Sequence, residues 1–343
     1  MKKILMVVIA LFAVAIVFTS IGLLVIAKDY EKPIERTIEI NQEKVFDADE
    51  ISYISLDMGY DDINVYVSND DKIRFKYFGT LRSTNEDFNA SMYIEEQRTQ
   101  LNIHKTSYAR DEKIRFFDLD EYYRDDLVLE VYIPINSSLN LEIESSKTTI
   151  EDLEFNSLVI ETYSRDISLK NVSAKDLIVK ASSGDIELSY VDSDKLDVRT
   201  YSGAAIISNV VANDFDCEFS SGKLLLSDAV LKDIRCEAYS GDLSFDNLEF
   251  DKAKVKTSSG EVDFDIVVLG DLEIETYSGE VSLDVPTNAS FNLNFDSYSG
   301  DLRNTFPIVL DMNSEFKVSG LVGDAANAKD VFVDTSSGDL TIN

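Results

Sequence analysis

Hydrophobic and polar residues alternate through most of this chain with a period of two, and the alternation is itself repeated. Between residues 184 and 279 the apolar positions recur every 19 residues. One set is Ile186, Leu188, Val191, Leu196 and Val198, and the next is Ala205, Ile207, Val210, Phe215 and Cys217. The columns continue through Leu224, Leu226, Ala229, Ile234 and Cys236, then Leu243, Phe245, Leu248, Ala253 and Val255, then Val262, Phe264, Val267, Leu272 and Ile274. Period-two runs this short predict strands with one face turned inward. A fixed period of 19 is too short for a strand–helix–strand unit and predicts a solenoid of stacked coils.

A glycine punctuates each repeat. Ser182-Ser183-Gly184-Asp185, Tyr201-Ser202-Gly203, Ser220-Ser221-Gly222, Tyr239-Ser240-Gly241-Asp242, Ser258-Ser259-Gly260-Glu261 and Tyr277-Ser278-Gly279-Glu280 mark one corner. Arg165 holds that slot one period earlier, and Gly300, Gly320 and Gly338 follow at spacings of 20, 20 and 18. A corner that keeps glycine implies a backbone conformation that side chains resist. Counted from Ser146, the pattern predicts about ten 19-residue coils, each built from two or three short strands. The resulting rod is about 50 Å long, with like residues stacked on like at ~4.8 Å.

The chain before the coils divides by pattern. Residues 4–27 carry no charged side chain and follow Lys2 and Lys3. At ~1.5 Å per residue such a helix crosses a bilayer core of ~30 Å. The flanking lysines place residues 1–3 in the cytoplasm and everything after the span outside the cell. Residues 28–50 read as a polar stalk. Residues 51–126 read as an antiparallel β segment with a charged, aromatic insertion after residue 80, including a hairpin at 92–94 and 101–103. Residues 127–343 form the repeat domain. The expectation is an all-β chain: a parallel β-solenoid, an antiparallel β segment before it, and one N-terminal transmembrane helix.

Composition narrows the function classes. A net charge of −32 argues against nucleic acid and against anionic lipid head groups as partners. The single histidine, His104, and two cysteines do not make a zinc set or a nucleophile–histidine arrangement. The acids after the corner glycine, Asp185, Asp242, Glu261, Glu280, Asp301 and Asp339, form a column that calcium would neutralise. The dense glycine of a calcium β-roll is missing, however, and solvated corner carboxylates are expected. No metal, cofactor or catalytic residue is predicted. Cys217 and Cys236 fall in one inward column of adjacent coils, and two buried thiols are expected there rather than a disulfide.

The most distinctive surface feature is an alternation laid over the repeat. Tyr163, Tyr201, Tyr239 and Tyr277 are 38 residues apart, with Ser182, Ser220 and Ser258 between them. Stacked coils place these four tyrosines on one corner, one every second layer. They are the candidate binding residues, for sugar rings or for a protein partner. A role limited to covering the serine coils is the competing reading.

The Ser-Gly-Asp repeats resemble the bacterial toastrack family of adhesin-like β-strand repeats, found in LiaG-like envelope proteins. The resemblance rests on Val131-Tyr132-Ile133-Pro134, on Leu139-Asn140-Leu141-Glu142-Ile143, and on Val318-Ser319-Gly320-Leu321-Val322-Gly323-Asp324 through Ser336-Ser337-Gly338-Asp339-Leu340. It covers about residues 127–343 and extends to a further stretch at 51–78, and the charged insertion at 80–126, Lys147 and Arg165 depart from it. It implies a stacked-coil fold, a membrane-anchored exterior location, and a non-enzymatic role in adhesion or the envelope-stress response. The ranked expectations are an envelope-interaction module binding a cell-envelope polymer or membrane-protein partner, then a scaffold of an envelope-stress system. An enzyme acting on polysaccharide comes last.

Overall fold

The computed structural model describes residues 35–84, 88–108, 123–143, 146–314 and 316–343. The predicted membrane span at 4–27 and residues 85–87 and 109–122 of the charged insertion lie outside these residues. Apart from one short 3-10 turn at Ala48–Glu50, the described elements are all strands.

The offset of 19 is realised as parallel, in-register pairing. Thr148–Ser164 pairs with Ile167–Ser183, which pairs in turn with Ile186–Ser240, so that one inward column holds Ile150, Leu169 and Leu188 in successive layers. Within Ile186–Ser240 the same offset is carried by side chains: Asn213 donates to Asp194 at 2.9 Å and Arg235 to Asp216 at 3.1 Å. The parallel stack continues through Leu243–Ser259 into Val262–Val268 and Asp271–Ser278. There the register slips by one residue, so Ile266 takes the buried place beside Leu248 and Val267, the residue expected inward, is exposed.

Each coil has three sides, the larger of the two numbers that the 19-residue period allows. In the coil 167–183 the buried residues are Ile167 and Leu169, then Val172 and Ala174, then Leu177, Val179 and Ala181. The middle side is only a few residues long, too short for its alternation to register as a strand. The corner before it is left-handed, with positive φ at Asp152, Asn171, Tyr190, Asn209, Asp228 and Asn247. Asparagine and aspartate tolerate that conformation better than other side chains. In this column Asn171 also donates to Asp152 at 2.7 Å.

Chain order and stacking order part company at both ends. The coil 281–284 does not pair with Leu302–Asn304, the next coil in sequence. Leu340–Ile342 lies between them, parallel to both. Likewise Lys329–Thr335 separates Asp271–Ser278 from Phe291–Ser297. Gly338 therefore sits between Gly279 and Gly300 in the corner ladder. Gly320 is no corner: it lies in Lys317–Val322, an antiparallel strand that covers Phe291–Ser297 and is itself flanked by Ile308–Asn313. The even series Gly300, Gly320, Gly338 read from the sequence is thus corrected. The stack contains Gly338 and Gly300 in reversed order.

The other end repeats the device. Tyr53–Asp57 lies between Gln100–Tyr108 and Ser137–Ile143, parallel to both, and Asp62–Val67 lies between Tyr123–Ile133 and Thr148–Ser164. So within 51–126 these two strands pair in parallel, whereas antiparallel pairing belongs to Lys72–Ser83 and to the hairpin Asn89–Gln97 with Gln100–Tyr108. Part of the expected stalk is also in the sheet: Arg36–Asp47 pairs antiparallel with Lys72–Ser83.

Candidate functional site

The corner motif is a set of backbone ties between layers. The serine before the glycine donates to the carbonyl of the tyrosine or serine one layer below. Ser183 Oγ reaches Tyr163 O at 3.1 Å, and Ser221 Oγ reaches Tyr201 O at 3.3 Å. The glycine lets two layers touch: a β-carbon on Gly241 would stand 1.8 Å from the carbonyl oxygen of Gly222. The acid after it accepts the backbone N–H of the next layer. Asp166 takes that of Asp185 at 3.0 Å, and Asp185 that of Ala204 at 2.8 Å. Lys223, which interrupts the acidic column, pairs with Asp242 at 2.7 Å and holds its carboxyl below the usual range. The corner carboxylates thus have a structural task as hydrogen-bond acceptors. Arg165 keeps the column's positive φ of 146°, and its guanidinium lies over the ring of Tyr60 at 5.1 Å.

These ties fix the backbone of the candidate tyrosines. Tyr163, Tyr201, Tyr239 and Tyr277 are 60%, 70%, 72% and 70% exposed, while the residues before Tyr163, Tyr201 and Tyr277 (Thr162, Thr200 and Thr276) are buried. The rings are therefore largely open to solvent at the corner. The reordered end extends the row. Thr335 pairs with Thr276 and Ser297 with Thr335, so Ser336 follows Tyr277 and Tyr298 follows Ser336. Tyr298 is 79% exposed. In space the column reads Tyr163, Ser182, Tyr201, Ser220, Tyr239, Ser258, Tyr277, Ser336, Tyr298, with tyrosine in every second layer. In sequence Tyr298 comes only 21 residues after Tyr277 and looks like a break in the pattern. Ser336, in the same motif, was the available signal that the pattern resumes.

Between the rings the serine layers form troughs. One, of about 540 Å³, runs past Tyr239, Ser258, Tyr277 and Ser336. Another, of about 320 Å³, runs past Tyr163, Ser182, Tyr201 and Ser220. Their shared flank is a rail of charges two residues before the tyrosine column. Lys180 pairs with Glu161 at 2.6 Å, Arg199 with Glu218 at 3.4 Å, and Lys256 with Glu275 at 2.7 Å. The hydrogen bond from Lys256 is the main reason the Glu275 carboxyl is held down at about 2. Below the tyrosines, the hydroxyls of Thr162, Thr200, Thr276, Thr335 and Ser297 are buried without a protein partner.

Two other groups stand apart from this edge. His104 is half-buried, its ring 4.9 Å from that of Tyr93. Asp61, at the corner of the inserted coil 53–67, is buried and accepts from Tyr77 Oη at 2.7 Å and Lys105 Nζ at 2.7 Å. Lys105 also reaches Asp125 at 2.5 Å. Burial pushes the Asp61 carboxyl up, against the pull of those hydrogen bonds. This cluster pins the inserted coil to its neighbours. Sequence reading misses it because its members lie 16 to 64 residues from Asp61, on separate strands.

Cys217 and Cys236 face each other in one inward column of adjacent layers, with Cα atoms 4.6 Å apart. Direct stacking brings this column within the separation that a disulfide spans.

An all-β stack of three-sided coils with ladders of surface side chains is a β-solenoid repeat protein. The Toastrack DUF4097 family model matches residues 51–244 and 220–343, and the chain belongs to that family. Similar solved structures include a candidate adhesin from Parabacteroides merdae, at 15% identity and a TM-score of 0.42, covering 72% of this chain and 95% of that one. A candidate adhesin from Bacteroides fragilis has 10% identity and a TM-score of 0.37, covering 92% and 100%. A candidate lipid-binding protein from Parabacteroides distasonis has 14% identity and a TM-score of 0.40, covering 90% and 96%. No curated protein matches the chain in sequence.

Proposed function

We propose that the chain is a non-enzymatic, adhesin-like module held outside a bacterial cell membrane by the span at 4–27, and that the tyrosine edge is the face it presents to a partner in the envelope. One observation carries this reading. The alternation of exposed tyrosine and serine persists in space through Tyr298, although chain order is broken between Tyr277 and Tyr298. Core packing alone does not require that, because the column points outward. One further feature supports it. The charged groups beside the rings are engaged with one another across layers, as ties and not as poised acids and bases.

The test uses the full-length protein in detergent micelles and isolated cell envelopes. The paired change Tyr201→Ser and Tyr239→Ser should abolish co-sedimentation with the envelopes while leaving the melting temperature unchanged. Undiminished co-sedimentation would remove the tyrosine edge from the account. Protease treatment of intact cells should cut the repeat domain, and full protection would overturn the exterior placement.

A further inference from the structure

We infer that the tyrosine edge is a platform for a single extended β-1,4-linked glycan chain carrying no net negative charge. This rests on the adhesin-like reading above and names its ligand. The spacing of the rings fits such a chain. One ring every second layer means a ring about every 9.6 Å. That interval is close to the disaccharide repeat of an extended β-1,4-linked chain. An α-1,4-linked chain curls away from a straight row.

The alternation fits as well. In an extended β-1,4 chain each sugar is turned over by roughly half a turn relative to the one before, so every second sugar shows the same face. A row that put an aromatic ring in every layer would meet unlike faces. This row puts tyrosine in one layer and serine in the next, which meets one face with a ring and the other with a small hydroxyl. A tyrosine combines an apolar face for sugar C–H groups with a polar tip. The rings of Tyr163, Tyr201, Tyr239 and Tyr277 are 60% to 72% exposed and remain available for stacking, while Tyr298, 79% exposed, already stacks on Phe316 at 5.8 Å and keeps one face free.

Chemistry along the trough sets the charge of the ligand. The rail of Lys180, Arg199, Glu218, Lys256 and Glu275 offers donors and acceptors to ring hydroxyl or amide substituents on the same flank. Its charges are mixed and paired, while the chain as a whole carries −32. A polyphosphate or polyuronate strand would be repelled over its whole length. An uncharged or cationic glycan is not.

Calorimetric titration of the full-length protein in micelles with chitohexaose, cellohexaose and maltohexaose tests the inference. The two β-1,4 probes should bind and maltohexaose should not. Tyr201→Ser with Tyr239→Ser should weaken binding at least tenfold with an unchanged melting temperature, since serine already fills this column in alternate layers. Ser220→Tyr adds an aromatic ring but closes the space between Tyr201 and Tyr239, and it should also weaken binding. Equal binding of maltohexaose, or tighter binding by Ser220→Tyr, would overturn the inference. So would failure of both β-1,4 probes to bind. If the envelopes were still bound through the tyrosines, the adhesin-like reading would survive that failure. If envelope binding ignored the tyrosines as well, both would fall.

Discussion

Gly338 rests on Gly279, 59 residues earlier in the chain, so closely that a β-carbon on Gly338 would stand 2.0 Å from the Gly279 carbonyl oxygen. Gly300 in turn rests on Gly338, its own added β-carbon 1.9 Å from the Gly338 carbonyl oxygen. Gly338→Ala must therefore part the layers on one side of the inserted coil. A loss of about 1–3 kcal/mol is expected, the usual range for overpacking. Denaturant unfolding of the variant measures it, and Ser337→Ala, which changes only an exposed serine, serves as the mild comparison.

Asp185 accepts the Ala204 N–H across a layer boundary. Asp185→Ala should cost about 1 kcal/mol, the usual net worth of one such bond, while Asp185→Asn should keep most of it. A chelator should leave the melting temperature of the wild-type protein where it was. A drop on adding chelator would reinstate calcium in the corner column.

Lys105 is the cation that makes a buried Asp61 tolerable. Lys105→Met should cost about 3–5 kcal/mol, since it leaves a carboxylate uncompensated in the interior. The sign of its pH dependence follows from burial, which raises Asp61 above its ordinary value. A carboxyl raised in the folded state favours folding when protonated, and that benefit is lost as pH rises through the raised value. The deficit of Lys105→Met should therefore be greatest at neutral pH and shrink on acidification. Adding Asp61→Asn should remove both the deficit and its pH dependence, as thermal melts between about pH 4 and 8 would record.

Cys217 and Cys236 meet in one inward column of adjacent layers, with Cα atoms 4.6 Å apart. Directly stacked side chains seldom reach the torsion that a disulfide needs. Thiol titration of protein unfolded without reductant should detect two free thiols, and reduction should leave the melting temperature unchanged. Absence of titratable thiol, with a melting temperature lowered by reduction, would overturn the expectation of unlinked cysteines.

What can be read from the sequence, and what cannot, follows from how a solenoid stores information. The alternation predicts Ile186, Leu188, Val191, Leu196 and Val198 to point inward, and all five are buried. The middle side is only half legible, because Val172 and Ala174 make too short a run to show a period, and two and three sides remain equally open from the pattern. Stacking order escapes for a different reason. Leu302 and Leu340 occupy the same column, and either would satisfy the apolar face of Val281. Hydrophobic pattern says that a coil stacks but not on which coil. Only the surface row carries the order: a tyrosine at 298 one coil after Tyr277 makes sense once Ser336 lies between them. The Asp61 cluster leaves no trace in sequence because its geometry comes from the inserted coil itself.

The coil inserted at the far end has a consequence for synthesis. A chain emerging in sequence order completes 291–304 before 329–342 exists, and at that moment the nearest free surface of matching shape belongs to 271–284. Docking there would set Tyr298 against Tyr277 and shut the slot. The nascent rod must either hold its end ajar or pry it open again, so maturation should be slower than the simple repetition of its coils suggests.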